Sequence, residues 1–161
     1  MTLEIIGLVF SILVGTIGHF LYDWSNQNKI IGFLFAKNES TWEHIKLGIT
    51  PIIMWTIIEL LTFDFNCLFF AKFISIITFM LLLLVFYYSY KFIFKMNSLV
   101  FDILLFYVCL GIIYVVSIKI LNYFSCGILL NFIGLIGICS IIFLYYYFNK
   151  KTPNLIIFKE P

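Results

Sequence analysis

Five runs of apolar residues, each close to the ~20 residues that an α-helix needs to cross a hydrocarbon layer of about 30 Å, take up most of this chain. They cover 3–22, 42–63, 69–90, 99–121 and 127–148, and polar or charged clusters separate them. With 63% hydrophobic and 11% charged residues among 161, a water-soluble fold could not hide so much apolar surface. The expected architecture is all-α: an integral membrane bundle of about five transmembrane helices, one domain over 1–161 with no internal repeat. Met1-Thr2-Leu3-Glu4 lacks the positive n-region of a signal peptide, so the first run is expected to be a retained helix.

All ten basic residues are lysine, which excludes roles that need a planar, bidentate guanidinium. Their placement orients the bundle. Lys29 and Lys37 follow the first run, Lys91 and Lys95 the third, and Lys150, Lys151 and Lys159 the fifth; the opposite end has only Lys72 and Lys119. By the positive-inside rule the N-terminus is expected outside and the C-terminus inside, in a bacterial cytoplasmic membrane. A net charge of +2 argues against nucleic acid as a partner. The expected partners are the lipid bilayer and, through Phe-rich surfaces, another membrane protein or a second copy of the chain. Cys67, Cys109, Cys126 and Cys139 form no C-x-x-C pair and read as small buried residues rather than disulfides or zinc ligands. The apolar segment 30–36 is too short to span and is expected to lie at the interface or dip into the bundle. The tail 152–161, bracketed by Pro153 and Pro161, is expected to pack against the cytoplasmic face.

Ionisable groups beside hydrocarbon cost about 2.5–3.5 kcal/mol each on insertion scales, so their placement is informative. Here they gather in one stretch, His19, Asp23, Glu39, Glu43, His44 and Lys46, with Asn38, Ser40 and Trp42 completing the expected polar cluster and Asp102 expected at the same membrane level. Gly7, Ser11, Gly15, His19 and Asp23 recur at every fourth position, a ridge expected to pack closely on a neighbour and carry His19 and Asp23 into the bundle. Two histidines and several carboxylates from adjacent helices could bind a divalent metal such as zinc or relay a proton, with His19, Asp23, Glu43 and His44 as candidate ligands. The spacing matches no H-E-x-x-H signature. A purely structural reading stands beside this one. Ser40-Thr41-Trp42-Glu43 is a capping box, Glu39 complements the helix dipole, and Tyr22, Trp24 and Trp42 are interfacial anchors. Lys46 then pairs with Glu43 or reaches the headgroups, and His19 and Asp23 form an interhelical pair. Glu59 lies about 22 Å along the helix from His44 and reads as a separate carboxylate near the outer surface. Lys119 reads as reaching to the outer headgroups, and Pro51 as a kink in the second helix.

The segments His19-Phe20-Leu21-Tyr22-Asp23-Trp24-Ser25 and Asn38-Glu39-Ser40-Thr41-Trp42-Glu43-His44-Ile45-Lys46 resemble those of an uncharacterised bacterial family of small multi-pass membrane proteins, a domain of unknown function. That resemblance covers nearly the whole chain and implies a membrane protein with a shared polar cluster, but no activity. The chain is also similar to membrane hydrolases of the progestin and adipoQ receptor superfamily in having a Glu and a His at the start of a helix. It departs from them in its number of spans and in lacking the paired histidines of their final helix.

Three functions are compatible with these residues. The first is binding or transport of an ion, a proton or a small polar solute at the cytoplasmic cluster. The second is metal-dependent hydrolysis of a lipid-type substrate, and the third a structural or accessory membrane subunit.

Overall fold

The structure, a computed structural model, describes residues 2–62, 67–93, 95 and 98–160. Phe63, the end of the second expected span, and the closing Pro161 lie outside the described residues. The chain is all-helical: α1 (Thr2–Trp24), a short α2 (Lys29–Leu34), α3 (Thr41–Leu60), α4 (Leu68–Ile93), α5 (Leu99–Tyr123), α6 (Ile128–Lys150) and a closing 3-10 turn (Ile156–Phe158). No strand occurs among the described residues.

Four helices, α1, α4, α5 and α6, are long and apolar enough to cross a membrane. Their outward faces carry exposed Ile, Leu, Val and Phe along their length, including Ile5, Val9, Leu13 and Ile17 on α1. A surface of this kind is stable against lipid and not against water, as in a membrane protein. The fifth long helix, α3, has a different composition. It carries Glu43, His44, Lys46 and Glu59, and it is the most enclosed helix of the bundle, with Ile45, Ile49, Ile52 and Trp55 in the core. It packs between α1 and α4, while α5 bridges α1 and α4 on the other side and α6 lies along α4. A polar helix can run through such a bundle because its neighbours, rather than lipid, meet its charged groups.

The close approach of α1 to α3 has a specific cause. Pro51 has no N–H, so the carbonyl of Leu47 one turn earlier loses its helical donor. That carbonyl oxygen faces Gly15 of α1, where a Cβ would collide with it. α3 continues through Pro51 as one helix. A second close approach, of α6 to α4, is made at Gly134, which lies against the backbone of Phe69 and Phe70. One turn away Asn131 Oδ1 accepts hydrogen bonds from Phe69 N and Phe70 N at 3.1 and 3.4 Å, in the first turn of α4.

The expected four-residue ridge on α1 holds only in part. The buried positions are Gly7, Ser11, Gly15 and then Gly18 rather than His19. At 3.6 residues per turn, each four-residue step overshoots by about 40°, so a ridge begun at Gly7 has swung through roughly 160° by Asp23. Gly18 stays on the contact line; Asp23 has left it and is exposed.

The segment after α1 turns back through two left-handed residues, Asn26 and Gln27 (φ 53° and 59°), and Asn28 caps α2 by accepting from Ile30 N and Ile31 N. α2 folds onto the bundle, with Phe35 and Ala36 packed on Leu47. Thr50 Oγ1 donates to Leu34 O at 2.5 Å and fastens the segment to α3. The C-terminal tail returns over the same end, burying Phe158 against Trp42 and Phe148.

At the far end, Cys67 and Cys126 are joined in a disulfide with a Cα–Cα distance of 4.9 Å. This corrects the expectation that all four cysteines are free. The two are 59 residues apart in sequence, and meet because α4 and α6 run parallel and begin side by side. Cys109 and Cys139 are free.

Candidate metal centre

The candidate centre is assembled by the end of α1 and the start of α3. His19 projects from the last turns of α1. Ser40 starts α3 as its N-cap, its Oγ accepting from Glu43 N at 3.4 Å, while Asn38 Oδ1 accepts from Ser40 N at 3.1 Å. This turn holds Glu39 just outside the helix and His44 one turn inside it. The two oxygens of Glu39 then face one imidazole each: Oε1 is 3.5 Å from His19 Nε2, and Oε2 is 3.5 Å from His44 Nε2. The three donor atoms lie within 4.8 Å of one another, and the imidazole centroids are 5.4 Å apart.

These distances suit a metal. With zinc–nitrogen and zinc–oxygen bonds of about 2.0–2.2 Å, tetrahedral donors stand about 3.3–3.5 Å apart, close to the two His–Glu separations. His44 Nδ1 lies 3.1 Å from Ser40 O, a contact that fixes the ring and leaves Nε2 as the free electron-pair donor. His19 Nδ1 is buried without a hydrogen-bond partner among the described residues. The Glu39 side chain is 62% exposed, so the site opens outward.

The other residues of the expected cluster separate from this trio. Glu43 points to the opposite side of the α3 start, where its Oε2 accepts from Lys37 N at 2.9 Å and lies 2.7 Å from Lys46 Nζ. Lys46, 2% exposed, also donates to Gly32 O at 2.9 Å. Glu43 and Lys46 therefore form a buried clamp that ties the α2 segment to α3. The capping box is half made: Ser40 caps Glu43, but the Glu43 carboxylate does not return to the Ser40 amide, which Asn38 satisfies. Asp23 is exposed and is not brought to the histidines. Asp102 on α5 accepts a hydrogen bond from the Tyr90 hydroxyl and lies within electrostatic reach of His44. Trp42 is not at the surface as an anchor would be; it is buried in an aromatic cluster with Tyr145, Phe148 and Phe158. Trp24 is exposed.

At the opposite end of the bundle is a second ionisable group that the sequence did not reveal as one. Lys72 Nζ of α4 lies 2.5 Å from Glu4 Oε1 of α1 and 2.7 Å from Glu59 Oε2 of α3. All three residues are buried. Glu59 is therefore an interior residue, not the isolated surface carboxylate its position along α3 suggested. The available signal was that each of these residues stands in an otherwise apolar helix, where a lone charge requires a partner.

Among curated proteins and solved structures, none matches this chain. A family does: the match to "Family of unknown function (DUF6512)" runs over residues 2–161. The all-helical bundle is thus the fold of a chain that belongs to this family of unknown function.

Proposed function

We propose that the protein is an ion-binding membrane module whose His19, Glu39 and His44 take a divalent transition-metal ion, zinc being the natural fit to two imidazoles and a carboxylate. The observation that carries this reading is that a single carboxylate faces both histidines of the chain, each at 3.5 Å. The site sits on the end of the bundle that holds Lys29, Lys37, Lys91, Lys95, Lys150, Lys151 and Lys159, which the positive-inside rule assigns to the cytoplasm. The disulfide at the other end supports the same orientation, because disulfides persist on the oxidising side of a membrane. The N-terminus is then external, and the membrane is the cytoplasmic membrane of a bacterium.

The test is metal analysis and zinc titration of the purified full-length chain. One zinc per chain is expected. Loss of an outer-shell partner weakens metal binding by about 10–100-fold, so removal of a direct ligand in His44→Ala or His19→Ala should weaken it by more. Wild-type protein that takes up no stoichiometric metal would overturn the reading.

A second reading follows from the same geometry. Three protein ligands would leave a fourth tetrahedral position, and the 62% exposure of the Glu39 side chain leaves the site open to the water that a metal-activated nucleophile requires. In that case the bound metal serves hydrolysis of a lipid-type substrate at the membrane surface. Zinc-dependent turnover of such esters, abolished by His44→Ala, distinguishes hydrolysis from binding alone.

A further inference from the structure

We propose that Glu4, Lys72 and Glu59 form a proton-binding site inside the bundle, in which the two carboxyl groups share one proton at neutral pH. The argument begins with charge. One ammonium faces two carboxyl groups, at 2.5 Å from Glu4 Oε1 and 2.7 Å from Glu59 Oε2. Side-chain exposure is 1% for Lys72 and 4% for each glutamate. With both carboxyls ionised the group would carry a net negative charge where no solvent can screen it, and an uncompensated buried charge is among the least tolerable arrangements in a fold.

No other described residue supplies the missing positive charge. α1 contributes Glu4 and α3 contributes Glu59, with Trp55 one turn from it. α4 contributes Lys72; its Ser75 is turned away and donates to Ile113 O. α5 contributes Ser117, whose hydroxyl donates to Glu4 Oε1 at 3.1 Å, and Tyr114, whose hydroxyl is engaged with Ser11 at 2.7 Å and whose ring lies 5.4 Å from Lys72 Nζ. Lys119 is exposed. A proton held between the two carboxyl groups supplies that charge and needs no cavity of its own.

It also has a place to sit. Among the described residues, Glu4 Oε2 is buried with no hydrogen-bond partner, while Glu4 Oε1 and Glu59 Oε2 converge on the same Lys72 ammonium. A carboxylic acid O–H between them satisfies one oxygen that otherwise has nothing to accept, and two like carboxylates sharing a site characteristically hold one proton between them. The proton comes from water and returns to it. No bond other than O–H is made or broken.

The site is separate from the metal centre at the other end, and its test can be run with a chelator present. Infrared spectra of the full chain in detergent at neutral pH should show the carbonyl stretch of a protonated carboxylic acid, shifted on exchange into D2O. Glu59→Gln and Glu4→Gln should each abolish that band, since either leaves one carboxylate paired with Lys72. Each should also melt no lower than wild type, because glutamine reproduces the neutral form. Lys72→Met should enlarge the band. A wild-type spectrum without the band, a band that survives both glutamine substitutions, or glutamine variants that both fail to fold would overturn the proposal.

Discussion

Glu39 and Glu43 are one helical turn apart in sequence and share a chemical type, yet they do different work. Glu43 is buried, and its Oε2 alone meets both Lys46 Nζ and Lys37 N. Glu39 is exposed and faces the two histidines. Their substitutions should therefore diverge. Glu43→Ala strands a buried ammonium and should cost about 3–5 kcal/mol of stability, read as a lowered melting temperature in detergent. Glu39→Ala should change stability by no more than about 0.5 kcal/mol, as at other exposed positions, while abolishing metal binding. The residue types of the centre were legible in the sequence, since both histidines and the carboxylates stand out against an apolar background. Their division into an open trio and a buried clamp was not. It depends on the turn through Asn38 and Ser40, which places Glu39 outside the helix, and no periodicity describes a residue that is not in the helix.

The elements themselves are legible in the sequence, because a long apolar run permits little besides a helix. All five expected runs correspond to long helices, with shifts of a few residues at their ends. What hydropathy could not rank was their arrangement. α3 is the helix that falls outside the four apolar candidates, and it is the most buried. Its contact with α1 depends on the Leu47 carbonyl that Pro51 leaves free and on the bare backbone of Gly15. Gly15→Ala places a methyl group on that oxygen, and one helix must then shift. Forced overpacking of this kind costs about 1–3 kcal/mol, and it should appear as a lower melting temperature together with weaker zinc binding, since the same two helices carry His19 and His44. Gly111, which has open space around it, provides the control: Gly111→Ala should leave both unchanged.

At the scale of the molecule, the two ends of the bundle differ in chemistry. One end has most of the lysines, the imidazoles and the returning tail; the other has the disulfide and the Glu4–Lys72–Glu59 group. The cysteine pairing was hidden in the sequence because it depends on which helices are parallel neighbours, a property of topology rather than of spacing. The bridge closes a long loop over α4 and α5, and a disulfide typically contributes about 2–4 kcal/mol. Replacing Cys67 and Cys126 together by serine should lower the melting temperature, and reductant should lower that of wild type but not of the variant. Reductant that leaves the wild-type transition unmoved would show that the bridge contributes nothing. The position of α3 has a further implication, for biogenesis. Glu59 has its counter-ion on α4, a helix that leaves the ribosome later, and its carboxyl neighbour on α1, one that leaves earlier. α3 alone is a poor passenger for lipid, so its entry into a membrane is expected to be coupled to that of α1 and α4 rather than to occur by itself.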